Sequence, residues 1–206
     1  MTDTAEITTR PGKRAAAKAA NRQAILQAAR VVFARIGYEA TSIRDIIRET
    51  ALASGTFYNY FKSKEEVFEA IASDSVLRFR PLLQKVREEA TDFETYLYAA
   101  YAAYFHFLAN ENDAAIAEGE PHMALIGVRI DTPEMKTISD EIRADLETVL
   151  GKVGLGHIDA DYLTSAAIGI AREMGDRMLD RRPLDPDAAA SFASQLVLSG
   201  VKALAK

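Results

Sequence analysis

The stretch that decides the fold runs from Thr41 to Lys64 and reads TSIRDIIRETALASGTFYNYFKSK. Ser42 stands where it can cap a short helix, and a second short helix follows after a brief turn. Neither helix can bury a face alone, but two crossed helices backed by a longer one can share a core. The apolar positions that would fill this core are Ile43, Ile46, Ile47, Leu52, Phe57 and Phe61.

The second short helix keeps an outward face of small, polar and hydroxyl-bearing residues. These are Ser54, Gly55, Thr56, Tyr58, Asn59 and Tyr60. Small residues let a backbone approach a groove edge, Thr and Asn side chains hydrogen-bond base edges, and Tyr hydroxyls and Lys ammonium groups suit phosphate oxygens. The face therefore matches a recognition helix that enters the DNA major groove amino end first. Ordinary aromatic packing is the alternative for Tyr58 and Tyr60.

Helix signals recur along the chain, and strand signals are nearly absent. Apolar residues from Ile25 to Ile36 form one helical stripe that ends at Gly37. The pairs Ser63/Glu66 and Thr91/Glu94, the steps Thr132-Pro133 and Asp185-Pro186, and Asp159 mark further helix starts. The sequence predicts helices over 16–36, 42–49, 53–60, 63–79, 82–90, 92–109, 121–130, 132–150, 159–181 and 186–205. The predicted fold class is all-α, with a three-helix head and a larger helical body.

Charge is distributed unevenly between these two parts. Residues 1–64 carry 11 Lys/Arg and 5 Asp/Glu, whereas residues 65–206 carry 14 and 25, so a balance of +6 precedes one of −11. A basic segment can bind nucleic acid locally while an acidic body is repelled. Chance variation of the surface is the alternative explanation, so charge supports the DNA-binding interpretation without carrying it.

Several function classes are disfavoured by composition. The chain has no cysteine, which removes disulfides, thiolate metal sites and cysteine nucleophiles. Its apolar stretches fall short of the roughly 20 residues of a membrane span, and no secretory signal is recognisable, so we expect a cytoplasmic protein with no membrane partner. Glu118, Glu120 and His122 do not share a helix face, and no nucleophile triad, phosphate loop or carboxylate pair is present. We therefore predict no enzymatic activity, no cofactor and no metal site.

The stretch from Thr41 to Lys64 and its flanks resemble the DNA-binding head of the TetR family. That head has a long helix ending in a Gly-Tyr/Phe step, then T-[ST]-[VI]-x-x-I, a turn, and G-T-[LF]-Y-x-[HY]-F-x-[SN]-K-x-x-[LV]. The matching segments here are Phe33–Tyr38, Thr41–Ile46 and Gly55–Val67. Ala51 departs from the usual turn glycine, and Ala53 departs from the usual capping serine, so we expect an altered turn and a weaker helix start.

The resemblance, which covers about residues 18–70, implies a domain plan. Residues 1–14 would form a disordered arm, 15–64 a helix-turn-helix DNA-binding domain, and 65–206 an effector-binding and dimerisation domain. The candidate residues for DNA contact are Ser42, Arg44, Ser54, Gly55, Thr56, Tyr58, Asn59, Tyr60, Lys62 and Lys64. Thr56 and Asn59 are expected on bases, and Tyr58 and Lys64 on phosphates.

The other basic residues of this part of the chain allow two interpretations. Arg44 and Arg48 fit a solvated helix face equally well. Arg10, Lys13, Arg14, Lys18 and Arg22 form a cluster with no acidic residue among them. An arm on phosphates or in a minor groove is one interpretation, and a solvated tail is the other.

The last two predicted helices carry apolar stripes too extensive to be left in water. Two such helices from each subunit make a four-helix interface, as the resemblance also implies, and the alternative is that both stripes belong to the body's own core. The candidate dimer-interface residues are Ala166, Gly169, Ile170, Phe192, Leu196, Val197 and Gly200. A two-fold homodimer would present two recognition helices to a near-palindromic operator.

Aromatic residues cluster between Phe93 and Phe107. Such a stripe is more often core, but buried tyrosines can line a mostly apolar pocket, and the resemblance implies an effector cavity in this region. The candidate pocket residues are Tyr96, Tyr101, Tyr104, Phe105, His122, Met123, Arg129 and Met174, with a hydrophobic or aromatic small molecule as effector. We therefore expect a homodimeric repressor released by an effector, and the alternative is a ligand-independent activator or architectural DNA-binding protein.

Overall fold

The structure, a computed structural model, describes residues 12–113 and 132–205, and every regular element in these ranges is helical. The elements are α1 (Lys13–Ile36), α2 (Ile43–Arg48), a 3₁₀ helix (Ser54–Asn59), α3 (Lys64–Glu89), α4 (Phe93–Glu111), α5 (Pro133–Lys152), α6 (Ala160–Leu179) and α7 (Pro186–Leu204). The all-α prediction is confirmed. The chain forms two compact units, Met1–Phe68 (the head) and Glu69–Lys206 (the body). The helix predicted over 121–130 lies outside the described residues.

Helix α1 starts earlier than the sequence predicts. It begins at Lys13, so the last two residues of the predicted arm are helical. The alanine-rich run that follows has high helix propensity, which accounts for the extension. The apolar stripe is buried as expected, with Ile25, Ala29 and Val32 fully inaccessible. Gly37 ends the helix at a φ of 79°, a conformation that favours glycine.

Side-chain caps set most of the other helix starts. The backbone N–H of Asp45 donates to Ser42 Oγ at 3.3 Å, while the carboxylate of Asp45 accepts from the backbone N–H of Ser42 at 3.0 Å, a reciprocal capping box. Thr132, Asp159 and Asp185 cap α5, α6 and α7 as predicted.

The cap of α4 differs from the prediction. Asp92 Oδ1 accepts from the N–H of Thr95 at 2.8 Å, one residue later than the predicted Thr91/Glu94 pair. An aspartate is the better capping residue, which explains the shift.

Helix α3 continues through Pro81, where the sequence predicts a break between two helices. A proline inside a helix removes one hydrogen bond and costs about 3 kcal/mol. Tertiary contacts hold both flanks of the proline. Phe79 and Leu83 form an apolar cluster with Ile138 of α5, and Arg87 Nε lies 2.7 Å from Asp145 of the same helix. Packing therefore outweighs the local signal.

No helix in the described ranges is both long and apolar enough to cross a membrane.

Candidate nucleic-acid interface

The turn between α2 and the 3₁₀ helix closes through a threonine side chain. Thr50 Oγ1 donates to the carbonyl oxygen of Ile47 at 2.8 Å and accepts from the N–H of Leu52 at 3.1 Å. Among residues 12–113 and 132–205, only glycines have positive φ, so Ala51 occupies the turn without strain. The Thr50 side chain therefore closes the turn, and alanine at position 51 needs no left-handed backbone conformation.

The recognition segment forms a 3₁₀ helix over Ser54–Asn59, whereas the sequence predicts an α-helix over 53–60. Ala53 precedes it and provides no side-chain hydrogen bond, as its missing hydroxyl predicts. Short segments without a strong cap commonly adopt this tighter geometry. Phe57 is fully buried and Phe61 nearly so, and these two rings fix the segment on the head.

The outward face of the 3₁₀ helix is open to solvent. Ser54, Gly55 and Asn59 are exposed, Thr56 is half-buried, and Tyr58 is 64% exposed although its ring lies edge-on to Phe57 at 5.5 Å between centroids. A Cβ placed at Gly55 would meet no atom within 4 Å, and the backbone there does not have positive φ. The fold of the free head therefore does not require glycine at this position.

Tyr60 differs from Tyr58 because it is half-buried and has a partner. Its hydroxyl accepts a hydrogen bond from Asn21 Nδ2 of α1 at 3.2 Å. Tyr60 is therefore partly packed within the head, as the packing alternative predicts.

Lys64 has partners within the head. Its ammonium donates to the carbonyl oxygens of Tyr38 at 2.9 Å and Glu39 at 3.2 Å, and it lies 4.5 Å from the Tyr38 ring centroid. The hydroxyl of Tyr38 donates in turn to Glu65 at 3.1 Å. This arrangement joins the start of α3 to the loop after α1, so Lys64 has a structural role in the free head, and its contact with phosphate stays a prediction.

The remaining candidate cations are presented to solvent. Arg44 is exposed, Arg48 lies 3.9 Å from Asp45, and Lys62 lies 4.0 Å from Glu66 with 90% of its side chain exposed. Exposed ion pairs of this kind contribute little, so these charges remain available to a polyanion.

Ser42 uses its hydroxyl within the head. The Oγ atom of Ser42 donates to the Asp45 carboxylate at 2.5 Å, and these hydrogen bonds lower the pKa of Asp45. The structure therefore gives Ser42 a capping role.

The body presents an apolar stripe on its last two helices. Tyr162, Phe192, Leu196 and Leu204 are exposed large side chains, and the small residues Ala166, Gly169 and Gly200 are exposed beside them. Ile170 is half-buried. Val197 lies in the body's own core at 6% exposure, so its assignment to a dimer interface is corrected. It faces inward because it lies on the α7 face that carries the buried residues Ala193 and Val201.

Three of the candidate pocket residues are core residues. Tyr96, Tyr101 and Phe105 are buried, the hydroxyl of Tyr96 donates to Asp145 at 3.1 Å, and that of Tyr101 donates to the carbonyl oxygen of Ala167 at 3.1 Å. Their polar atoms are therefore satisfied by the protein itself, as the core alternative requires.

Tyr104 and Met174 are half-buried and pack against the same cluster. Burial raises the pKa of Tyr104, and Arg172 and Asp176 of α6 act on its phenol with opposite signs. Arg172 and Asp176 are not among the candidate pocket residues predicted above, and their four-residue spacing shows only that they share one face of α6.

His122, Met123 and Arg129 lie outside the described residues, as do Glu118 and Glu120. Within the described part of the chain, no group of three or more His, Asp or Glu residues is placed to hold a metal ion.

Comparison with known proteins relates the head to bacterial regulators. The sequence model for the family described as "Bacterial regulatory proteins, tetR family" matches residues 25–71. An HTH-type transcriptional repressor of Mycolicibacterium smegmatis, KstR2, is 36% identical over 73 residues, and that alignment spans 35% of this chain and 36% of the repressor.

Solved structures share the fold over most of the chain. The fatty acid degradation regulator FadR of Bacillus halodurans superposes with a TM-score of 0.67 at 22% identity, covering 93% of this chain and 98% of that one. FadR of Bacillus subtilis, solved in complex with stearoyl-CoA, gives a TM-score of 0.65 at 20% identity over 86% and 98% of the two chains.

Proposed function

Because this chain belongs to the TetR family of bacterial regulatory proteins, we propose that it is a cytoplasmic transcriptional repressor that binds operator DNA as a homodimer. A small-molecule effector would release it. The observation that carries the proposal is the exposed face of the 3₁₀ helix, which includes Tyr58 and Asn59, in a head that also exposes the cations Arg44 and Lys62.

The composition of this face suits duplex DNA. Asn59 can form a bidentate hydrogen bond with adenine, and Thr56 can contact base edges or a thymine methyl group. Tyr58, Arg44 and Lys62 suit phosphate oxygens, which fix register and orientation on the duplex. Gly55 would allow the backbone to approach the DNA closely. The fold of the free head does not itself require glycine at this position.

The exposed stripe on α6 and α7 supports a homodimer. Phe192, Leu196 and Leu204 leave more than half of their surface in water, and contiguous apolar surface of this kind marks an interaction site. A two-fold dimer presents two recognition segments, so the operator we propose is a near-palindrome whose half-sites lie about one helical turn apart.

The effector we propose is a hydrophobic molecule with a polar end. The stearoyl-CoA bound by B. subtilis FadR is such a molecule, and the body here shares that fold. Tyr104 packs against the apolar cluster, and the charges of Arg172 and Asp176 act on its hydroxyl, so hydroxyl, cationic and anionic groups adjoin the apolar side chains. An effector can shift the protein only by binding one conformation more tightly than the other.

Electrophoretic shift with DNA from upstream of the protein's own gene tests the proposal. We expect a specific complex that resists unrelated competitor DNA and dissociates on addition of a long-chain acyl-CoA or another hydrophobic ligand. Absence of any specific complex at low salt and across a wide concentration range would refute DNA-binding regulation by this chain.

A ligand-independent DNA-binding protein is the second candidate. The packed environment of Tyr96, Tyr101 and Phe105 favours it, because these residues fill the core. A thermal-shift screen with acyl-CoA thioesters and aromatic acids separates the two candidates. Failure of every compound to stabilise the protein, while the DNA complex still forms, would favour the second.

A further inference from the structure

The amino-terminal third of α1 extends beyond the buried stripe of the head and forms one wall of a groove. Residues 12–20 are all exposed, and full burial begins only at Ile25. Four α1 residues recur at helical spacing on one face, and the end of the 3₁₀ helix supplies the opposite wall. The lining residues are Arg14, Ala17, Lys18, Asn21, Asn59 and Tyr60.

The residues at the start of α1 do not stabilise the helix. Gly12 precedes α1 and offers no side-chain cap, and the first turn contains no acidic residue. Lys13 and Arg14 instead add positive charge at the end of the helix dipole that is already positive. Residues that disfavour the local structure in which they lie are expected at functional sites.

The positive charge in the groove has no carboxylate partner among the residues that the structure describes. Neither Arg14 nor Lys18 has a carboxylate within ion-pair distance in the part of the chain that the structure describes. The lining set contains no acidic residue. A groove with two cations and no anion attracts an anionic ligand.

The hydrogen bond between Asn21 and Tyr60 leaves the Tyr60 hydroxyl as a third donor in the groove, beside Arg14 and Lys18. Asn21 Nδ2 donates and the phenol oxygen of Tyr60 accepts, at 3.2 Å. The hydroxyl hydrogen of Tyr60 therefore remains to be donated to another acceptor. In protein–DNA complexes, phosphate oxygens accept hydrogen bonds from guanidinium, ammonium and phenol O–H groups.

We propose that this groove binds a phosphodiester of the duplex backbone next to the bases contacted by the 3₁₀ helix. Arg14 and Lys18 supply the charge, Tyr60 donates a hydrogen bond, and Asn21 is the positioning residue for the Tyr60 hydroxyl. The inference rests on the proposed DNA binding. Asn59 belongs to both the groove lining and the outward face, which places the phosphate beside the base-reading edge.

The test compares an Arg14→Gln/Lys18→Gln double variant with the wild-type chain over a range of salt concentrations, with operator DNA as the probe. Each lost phosphate contact should reduce the slope of log affinity against log salt by about 0.9, while the preference between operator and mutated operator stays unchanged. A Lys85→Gln/Lys152→Gln variant makes the same change in net charge on the body and should keep the wild-type slope. An Arg14→Gln/Lys18→Gln slope equal to that of this control overturns the proposal.

Ethylation interference on the operator gives a second measurement. Ethylation of a flanking phosphate should weaken wild-type binding and should have no effect on the Arg14→Gln/Lys18→Gln variant. An identical interference pattern for both proteins counts against the groove.

A double-mutant cycle tests the positioning role. Tyr60→Phe should weaken DNA binding about tenfold or more, because a hydrogen bond to a charged group is lost, without changing the salt slope. Asn21→Ala should weaken binding as well, and the double variant should match Tyr60→Phe alone. Fully additive losses, or unchanged affinity with only a lower unfolding temperature, would show that the pair is merely structural.

The outcomes distinguish failure of the proposed DNA binding from failure of the proposed groove. If the wild-type chain forms no specific complex with any operator candidate, the proposed function fails. If the wild-type complex is specific and salt-dependent but the groove variants behave like the control, only the groove is refuted.

Discussion

Lys64 is the first residue of α3, and its ammonium lies 2.9 Å from the backbone carbonyl oxygen of Tyr38. This hydrogen bond holds the loop that follows α1. Lys64→Met keeps the aliphatic stem and removes the donor from two carbonyl groups, so we expect the free energy of unfolding to fall by about 1–3 kcal/mol. Chemical denaturation followed by circular dichroism measures the change. Lys62→Met, two residues away and 90% exposed, is the matched control and should stay within about 0.5 kcal/mol of the wild-type value. Equal stability of the two variants would contradict the role assigned to Lys64.

Asn59 and Lys62 should affect DNA binding in different ways. Asn59→Ala removes the proposed base contact, so the affinity for the preferred operator should fall by about 1–3 kcal/mol while discrimination at one base pair is relaxed. Lys62→Ala removes a proposed phosphate contact, so all sequences should bind more weakly and the salt slope should decrease by about 0.9. Fluorescence anisotropy with a set of mutated operators checks both. The division between base and phosphate contacts would be wrong if the two variants changed specificity equally.

Gly55 separates stability from binding. A methyl group at this position meets open space at an ordinary φ, so Gly55→Ala should leave the free energy of unfolding unchanged or raise it by about 0.4–1 kcal/mol. The larger Gly55→Gln should fold equally well but weaken DNA binding, because the added side chain stands between the backbone and the groove edge. Thermal unfolding and anisotropy on the same samples give both values. Unchanged DNA affinity in Gly55→Gln would exclude close backbone approach at this residue.

Phe192 and Leu196 allow a test of the dimer with a matched control. Both are more than half exposed on the stripe of α6 and α7, and Val153, which is 55% exposed, lies after α5 and outside that stripe. Phe192→Glu/Leu196→Glu should convert the protein to monomers in sedimentation velocity and reduce operator affinity strongly, since two half-sites are no longer bound together. Val153→Glu should leave the oligomeric state unchanged. A Phe192→Glu/Leu196→Glu protein that still sediments as a dimer would place the interface elsewhere.

The buried tyrosines predict a loss of stability in alkali. Burial raises the pKa of the Tyr96, Tyr101 and Tyr104 phenols above the ordinary value of 10.0. A raised folded-state pKa favours the neutral form, so this stabilisation is complete below the unfolded pKa of about 10 and is lost as the pH rises through the folded value. In a titration followed by tyrosinate absorbance and circular dichroism, three of the eight tyrosines should ionise only as the helices unfold. Reversible ionisation of all eight with unchanged helicity would contradict the burial of these phenols.

The sequence predicts the architecture well because its local signals and its packing agree. The stripe from Ile25 to Ile36, the stop at Gly37 and the cap at Ser42 are each set by one or two neighbouring residues. Continuity of α3 through Pro81 was not predictable in this way, because contacts with α5, more than fifty residues away, decide it. The cap of α4 was missed by one residue, since Thr91 and Asp92 are both good capping residues.

In the candidate site, too, features set by neighbouring residues are predictable from the sequence, and those set by distant contacts are not. Exposure of Tyr58 and Asn59 follows from helical spacing, so the sequence predicts the outward face correctly. The partners of Lys64 and Tyr60 lie on α1 or in the loop after it, and no local pattern identifies them. Tyr96 and Tyr101 look like pocket residues by composition, and only the positions of Asp145 and Ala167 show that their hydroxyls are already satisfied.

The 3₁₀ geometry of the recognition segment has a consequence for how an operator is spaced. In such a helix, residues three apart are eclipsed and lie about 6 Å apart along the axis, against about 4.5 Å in an α-helix. Thr56 and Asn59 have this separation, so their side chains project from one edge of the segment. Successive bases on a strand are about 3.4 Å apart. In the proposed complex, with the segment lying along the groove, the two residues would reach bases about two steps apart. Neither side chain would contact the base pair between them, so its recognition would depend on the shape of the DNA.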